Sequence, residues 1–157
     1  MRVLLGVALL LAVAGSATAA DSPLFQRPDG SAIVFPGTVR AWCGTHNLNV
    51  LNLAPRIRQS RWELHIARKR IHANSIVRFS WRRANGIRIF VYDAKTHNEA
   101  SEGAEGSHGV ITLRRATCRR GGKLAVRMSG TIASEFSDGQ PVRVSGTYRG
   151  QVGPPPR

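Results

Sequence analysis

The sequence predicts an all-β fold, an antiparallel β-sandwich or small β-barrel of about eight short strands stapled by one disulfide. Three observations lead there. Apolar residues recur at every second position in several runs, the period of a strand with one buried face. Turns rich in Gly, Asn and Pro separate those runs, and no helical pattern alternates with them as a parallel sheet would need. Two cysteines, Cys43 and Cys118, follow an N-terminus that reads as a leader.

That leader opens the chain. Arg2 precedes an apolar run over 3–13, and Ala17 and Ala19 form a small-x-small pair after it. The pattern is that of a signal peptide over 1–19. The run is shorter than the roughly 18 residues a spanning helix needs, and no second one follows, so no transmembrane segment is expected. Export, to the periplasm or outside the cell, makes a Cys43–Cys118 bridge the natural fate of an even pair. The chain-entropy model gives that bridge about 4 kcal/mol.

Residues 20–31, with Pro23, Pro28, Asp29 and Gly30, read as an irregular lead-in. A single β domain is expected over 32–152. Its first strands fall at 37–42, 48–53 and 61–66, with 54–60 as a connection. Trp42 lies next to Cys43, where an aromatic ring could pack on the bridge. Residues 67–74 have mild helical composition but are too few for a stable helix. Val77, Phe79 and Trp81 alternate with Arg78, Ser80 and Arg82, and Asn85-Gly86 then leads into 87–92. Both turn residues accept positive φ, so a type I′ hairpin joining these two runs is expected. The segment 95–107 reads as a long mobile loop. Arg120-Gly121-Gly122-Lys123 and Ser137-Asp138-Gly139-Gln140-Pro141 are two further turns, which make the last strands a meander. If residue 136 faces 142, Glu135 lies beside Arg143 as a cross-strand ion pair. The Pro-rich tail 153–157 should be extended and mobile.

Charge is the strongest compositional signal. Across 157 residues there are 23 Lys plus Arg against 9 Asp plus Glu, a formal charge of +14. Loss of the leader would remove only Arg2 of these. Arg78, Arg82 and Arg88 share one face of the expected hairpin, and Arg56, Arg58, Arg61, Arg68, Lys69 and Arg70 cluster around the 54–60 connection. Guanidinium groups bind phosphate, sulfate and carboxylate through paired N–H donors, so these nine form the candidate anion-binding surface. Arg127, Arg143 and Arg149 should face outward on the last strands.

The leading functional expectation is an exported binding module for an anionic macromolecule: a polysaccharide, a lipopolysaccharide or an acidic protein surface. Peripheral association with anionic envelope surfaces is open to such a protein. Nucleic acid is disfavoured by export and by an aromatic content of 6%, although Trp81, Phe90 and Tyr92 could serve as a stacking platform. Aromatics at alternating strand positions more often fill a core. A second reading is a small secreted hydrolase or metal-dependent enzyme, with its site in the 97–108 loop at His97, Glu99 and His108. Their spacing matches no structural zinc site. No Gly-x-Ser-x-Gly, His-Glu-x-x-His or phosphate-binding loop occurs, so the sequence assigns no catalytic residue and calls for no cofactor. A third reading is a structural or inhibitory module acting on a protein partner.

Overall fold

The computed structural model describes residues 22–156, so the expected leader, the first residues of the lead-in and Arg157 lie outside the described residues. Ten strands pair antiparallel: β1 (Leu24–Gln26), β2 (Thr38–Cys43), β3 (Asn47–Leu53), β4 (Arg61–Ala67), β5 (Ser75–Ser80), β6 (Ile87–Asp93), β7 (Asn98–Ser101), β8 (His108–Arg115), β9 (Lys123–Ser134) and β10 (Val142–Gln151). A single 3-10 turn, η1 (Arg68–Arg70), follows β4. It falls in the segment of mild helical composition, too short to propagate.

The strands form one curled sheet with two walls. One wall runs β5-β8-β9-β10-β1 and the other β2-β3-β4-β6-β7. β9 joins them, because its last residues leave β10 and pair with β7, Ala100 opposite Ser134. At the other margin Val152 bridges in parallel to Ala41 of β2, and the Gly153 N–H donates to the Ala41 carbonyl at 2.8 Å. The proline tail therefore starts from a fixed point. The Cys43–Cys118 disulfide lies beside this closure and ties β2 to the β8–β9 loop, Cα–Cα 5.5 Å.

Alternation decides which side chains meet inside. Leu48, Val50, Leu64, Ile66, Ile87, Ile89 and Val91 from one wall face Ile111, Leu113, Val126, Met128, Ile132 and Val144 from the other. The core tryptophan is Trp62, 1% exposed; Trp42 falls on the opposite face of β2 from the buried Ala41, so it does not take the core position. Cys43 itself packs against the core. Gly109 stands opposite Gly130, and a Cβ on Gly109 would come within 2.7 Å of the Phe79 ring. Bare backbone there lets Phe79 lie flat against β8.

Several expectations need correction. The lead-in supplies β1, since Phe25 is fully buried and its ring packs 5.5 Å from Trp62 and 5.2 Å from Phe35. The segment 95–107 is not a free loop: β7 lies within it, and the buried Ser107 hydroxyl donates to Ser101 O and accepts from Ala133 N, each at 2.7 Å. Asn85 and Gly86 adopt positive φ, 52° and 81°, yet the runs they join do not pair. β5 pairs with β8 and β6 with β4 and β7. The turn carries the chain between walls, and its residues close the free edge of β5. Ser80 and Arg83 exchange backbone hydrogen bonds of 2.9 and 2.8 Å, while the Asn85 side chain donates to Arg78 O at 2.6 Å. A covered edge resists pairing with another chain. Finally, β9 and β10 pair with Val142 opposite Ile132 and Arg143 opposite Thr131, so Glu135 does not face Arg143. The Glu135 N–H instead donates to Glu99 O at 2.8 Å.

Candidate anion-binding surface

The nine predicted residues divide into two groups. Arg56 and Arg58 sit in the β3–β4 connection and Arg61 opens β4, whereas Arg68, Lys69 and Arg70 form η1 at its far end. A strand of seven residues separates them, roughly 20 Å at about 3.3 Å per residue. The expected single cluster is therefore split.

The second group is the larger assembly. The Ala67 N–H donates to Gly86 O and the Arg68 N–H to His46 O, both at 2.7 Å, which sets η1 between the β2–β3 turn and the end of the 81–86 turn. Ser75 pairs with Leu113, so the start of β5 brings Arg114 and Arg115 toward η1. Trp81, 39% exposed, carries the Arg82 guanidinium 4.7 Å above its ring. Such stacking holds the group flat and leaves its N–H edge directed outward. Arg68, Lys69, Arg70, Arg78, Arg82, Arg83 and Arg88 are all exposed. Among the described residues none of the seven lies within ion-pair distance of a carboxylate.

A basic band of six of these, without Arg88, thus follows the β5 edge from η1 to the 81–86 turn. Arg88 lies on β6 in the other wall, opposite His65, so Arg78, Arg82 and Arg88 do not share one hairpin face as expected. Arg83 belongs to it and was not singled out from the sequence. The signal was there: the segments 64–92 and 106–134, which build the band and its surroundings, contain no Asp or Glu.

The adjoining outer face of the β2-β3-β4-β6 wall has a different character. Trp42, Asn49, His65 and Arg88 stand opposite one another on successive strands. His65 Nδ1 lies 2.7 Å from Asn49 Oδ1 and Nε2 lies 3.2 Å from Glu63 Oε2. The His65 hydrogen bond, with Arg61 and Arg88 nearby, holds the Glu63 carboxyl below its usual range against the effect of burial. The Arg61 guanidinium covers the rings of Phe90 and Tyr92 at 5.5 and 5.1 Å. Phe90 and Tyr92 are therefore outward-facing, half-buried residues on this wall, and Trp81 is exposed; the three do not fill the core.

The 97–108 residues do not converge. His97 takes a positive φ of 54° in the β6–β7 turn and lines a shallow cleft of about 450 Å³ with Asp138. Glu99 lies on β7, and His108 opens β8 with its Nδ1 2.9 Å from Gly106 O. Among the described residues no three His, Cys, Asp or Glu side chains come together as a metal site would require. Compared with family models, with curated proteins and with solved structures, the chain matches none.

Proposed function

We propose that this protein is an exported binding module that recognises an anionic polymer through the basic band along β5. The observation that carries the reading is the length of a band free of carboxylate partners. β5 alone has six residues, about 17 Å of strand at roughly 3.3 Å each, against a screening length of about 8 Å at physiological salt. One small anion would feel only part of that field. A polymer bearing repeated negative groups engages several guanidinium groups at once and gains from each. A lipopolysaccharide layer would offer the same repeat, and the probes below separate it from a free polysaccharide.

The test is the affinity of the oxidised protein for heparin, lipopolysaccharide and duplex DNA across a salt series. We expect one ligand to stay bound near physiological salt, and replacement of Arg78, Arg82 and Arg88 by Ser to weaken that binding and flatten its salt dependence. Equal, weak binding to all three that disappears together as salt rises would remove the assignment.

A further inference from the structure

The band says that the ligand is negative; the wall beside it says what else the ligand is. We propose that the outer face of β2-β3-β4-β6 is a saccharide-binding track, and that the polymer is an acidic polysaccharide carrying hydroxyls as well as carboxylates or sulfates. This rests on the polyanion reading above and narrows it.

The argument is one of charge and hydrogen-bond complementarity. The face mixes donors and acceptors at close range: Arg61, Glu63, His65 and Arg88 occupy neighbouring positions on two paired strands, with Arg88 directly opposite His65. DNA presents a phosphate at every unit and no run of free hydroxyls, so the Glu63 carboxylate would repel it. A sugar chain presents hydroxyl donors that a carboxylate accepts well, and spaced acidic groups that Arg61 or Arg88 can take in bidentate fashion. The aromatic rings point the same way. Arg61 already covers Phe90 and Tyr92, which blocks base stacking there, whereas Trp42 ends the row as a half-buried ring able to take the apolar face of a sugar. The row is also continuous with the band. His65 and Arg88 stand two residues from Ala67 and Gly86, whose backbones hydrogen-bond at 2.7 Å just before Arg68, so a chain lying on the row passes beside η1. Four strands at about 4.8 Å spacing make a track of roughly 14 Å.

Glu63 supplies the test, because the two views of it predict opposite signs. Generic electrostatics says that removing a carboxylate tightens binding of any polyanion. Direct acceptance of sugar hydroxyls says that it weakens binding of an acidic polysaccharide. We would measure the affinity of the full oxidised protein and of Glu63→Val and Glu63→Gln for polygalacturonate and for single-stranded DNA. Glu63→Gln keeps an acceptor for His65 and so preserves the fold around it. The expected result is a loss of about tenfold for polygalacturonate with Val, a smaller loss with Gln, and DNA binding unchanged or tighter. Unchanged or tighter polygalacturonate binding in both variants overturns the track while leaving the band intact. Weaker DNA binding in Glu63→Val assigns the face to nucleic acid and overturns it too. If the wild-type protein binds neither probe the track is overturned, while the polyanion reading stands or falls on heparin and lipopolysaccharide.

Discussion

Around Asp93 this fold turns charge inward, and along the β5 edge it turns charge outward. Asp93 is 1% exposed and receives Arg27 Nε and Nη2 at 2.6 and 2.9 Å, the Lys95 N–H at 3.1 Å and the Thr96 hydroxyl at 2.9 Å. Glu102 is used in the same way, its Oε2 accepting the Ile89 N–H at 2.7 Å. Asp93 thereby completes the hydrogen bonding of the β6–β7 turn, and Glu102 that of the β6 backbone where β7 ends. Across the molecule the guanidinium groups of Arg78, Arg82 and Arg83 complete nothing of the kind. A charge that satisfies internal donors is fixed by the fold, whereas one left in solvent with no carboxylate beside it is available to a ligand. That contrast, more than the net charge, makes the band a candidate site.

The two regions should respond differently to damage, and the disulfide gives the largest effect. Replacing Cys43 and Cys118 by Ser should cost about 4 kcal/mol of stability by urea denaturation. The loosening should be local to the basic side, because the bridge holds the β8–β9 loop with Arg119 and Arg120 against β2. Hydrogen exchange should therefore accelerate first over 114–123. Equal acceleration around β7 would mean that the bridge stabilises both regions alike.

Next comes the buried ion pair. Asp93→Asn leaves the Arg27 guanidinium, whose side chain is 13% exposed, without its counter-charge, and breaking such a pair costs about 3 kcal/mol. Burial pushes the Asp93 carboxyl up, but the hydrogen bonds from Arg27, Thr96 and Lys95 outweigh it and hold it below the usual range. A carboxyl lowered in the folded state stabilises the protein above its unfolded value of about 3.9 and loses that contribution as pH falls through its folded value. Wild-type stability should therefore drop as the pH falls below about 4, and the Asp93→Asn variant should show a shallower slope. An identical slope in the two proteins would show that Asp93 does not carry the acid sensitivity.

How much of this was legible in the sequence depended on where the determining contacts lay. The turns at 120–123 and 137–141 were readable because the strands they join are paired neighbours, β8 with β9 and β9 with β10. Asn85-Gly86 was readable as a turn and misleading as a hairpin, since positive φ fixes the local reversal and says nothing about which strand receives the chain. β7 was hidden because one of its inward residues is polar. Asn98 is buried by donating to Gln140 O and accepting from Ser134, both at 2.7 Å, partners that no periodicity count supplies. The β9–β10 register slipped from expectation because Ala133 and Ser134 pair with β7. The disulfide and the outward arginines were visible one by one. Their grouping was not, because Arg68 and Arg82 become neighbours of one band only through η1, Gly86 and the β5 edge.

The smallest expected effect on stability is the one that most sharpens the contrast. Arg78, Arg82 and Arg88 are exposed and, among the described residues, within ion-pair distance of no carboxylate, so the triple Ser variant should change stability by no more than about 0.5 kcal/mol per site, in either direction. Relief of like-charge repulsion along the band offsets part of any packing lost, the largest such loss being the Arg82 contact with Trp81. The same variant is expected to lose polyanion binding, so thermal denaturation and heparin affinity should separate in it. In Asp93→Asn they should separate the other way, with stability lost and affinity kept once folded protein is assayed. A triple variant that unfolds easily would show that these arginines are structural, and the distinction between the inward and outward charges would not hold.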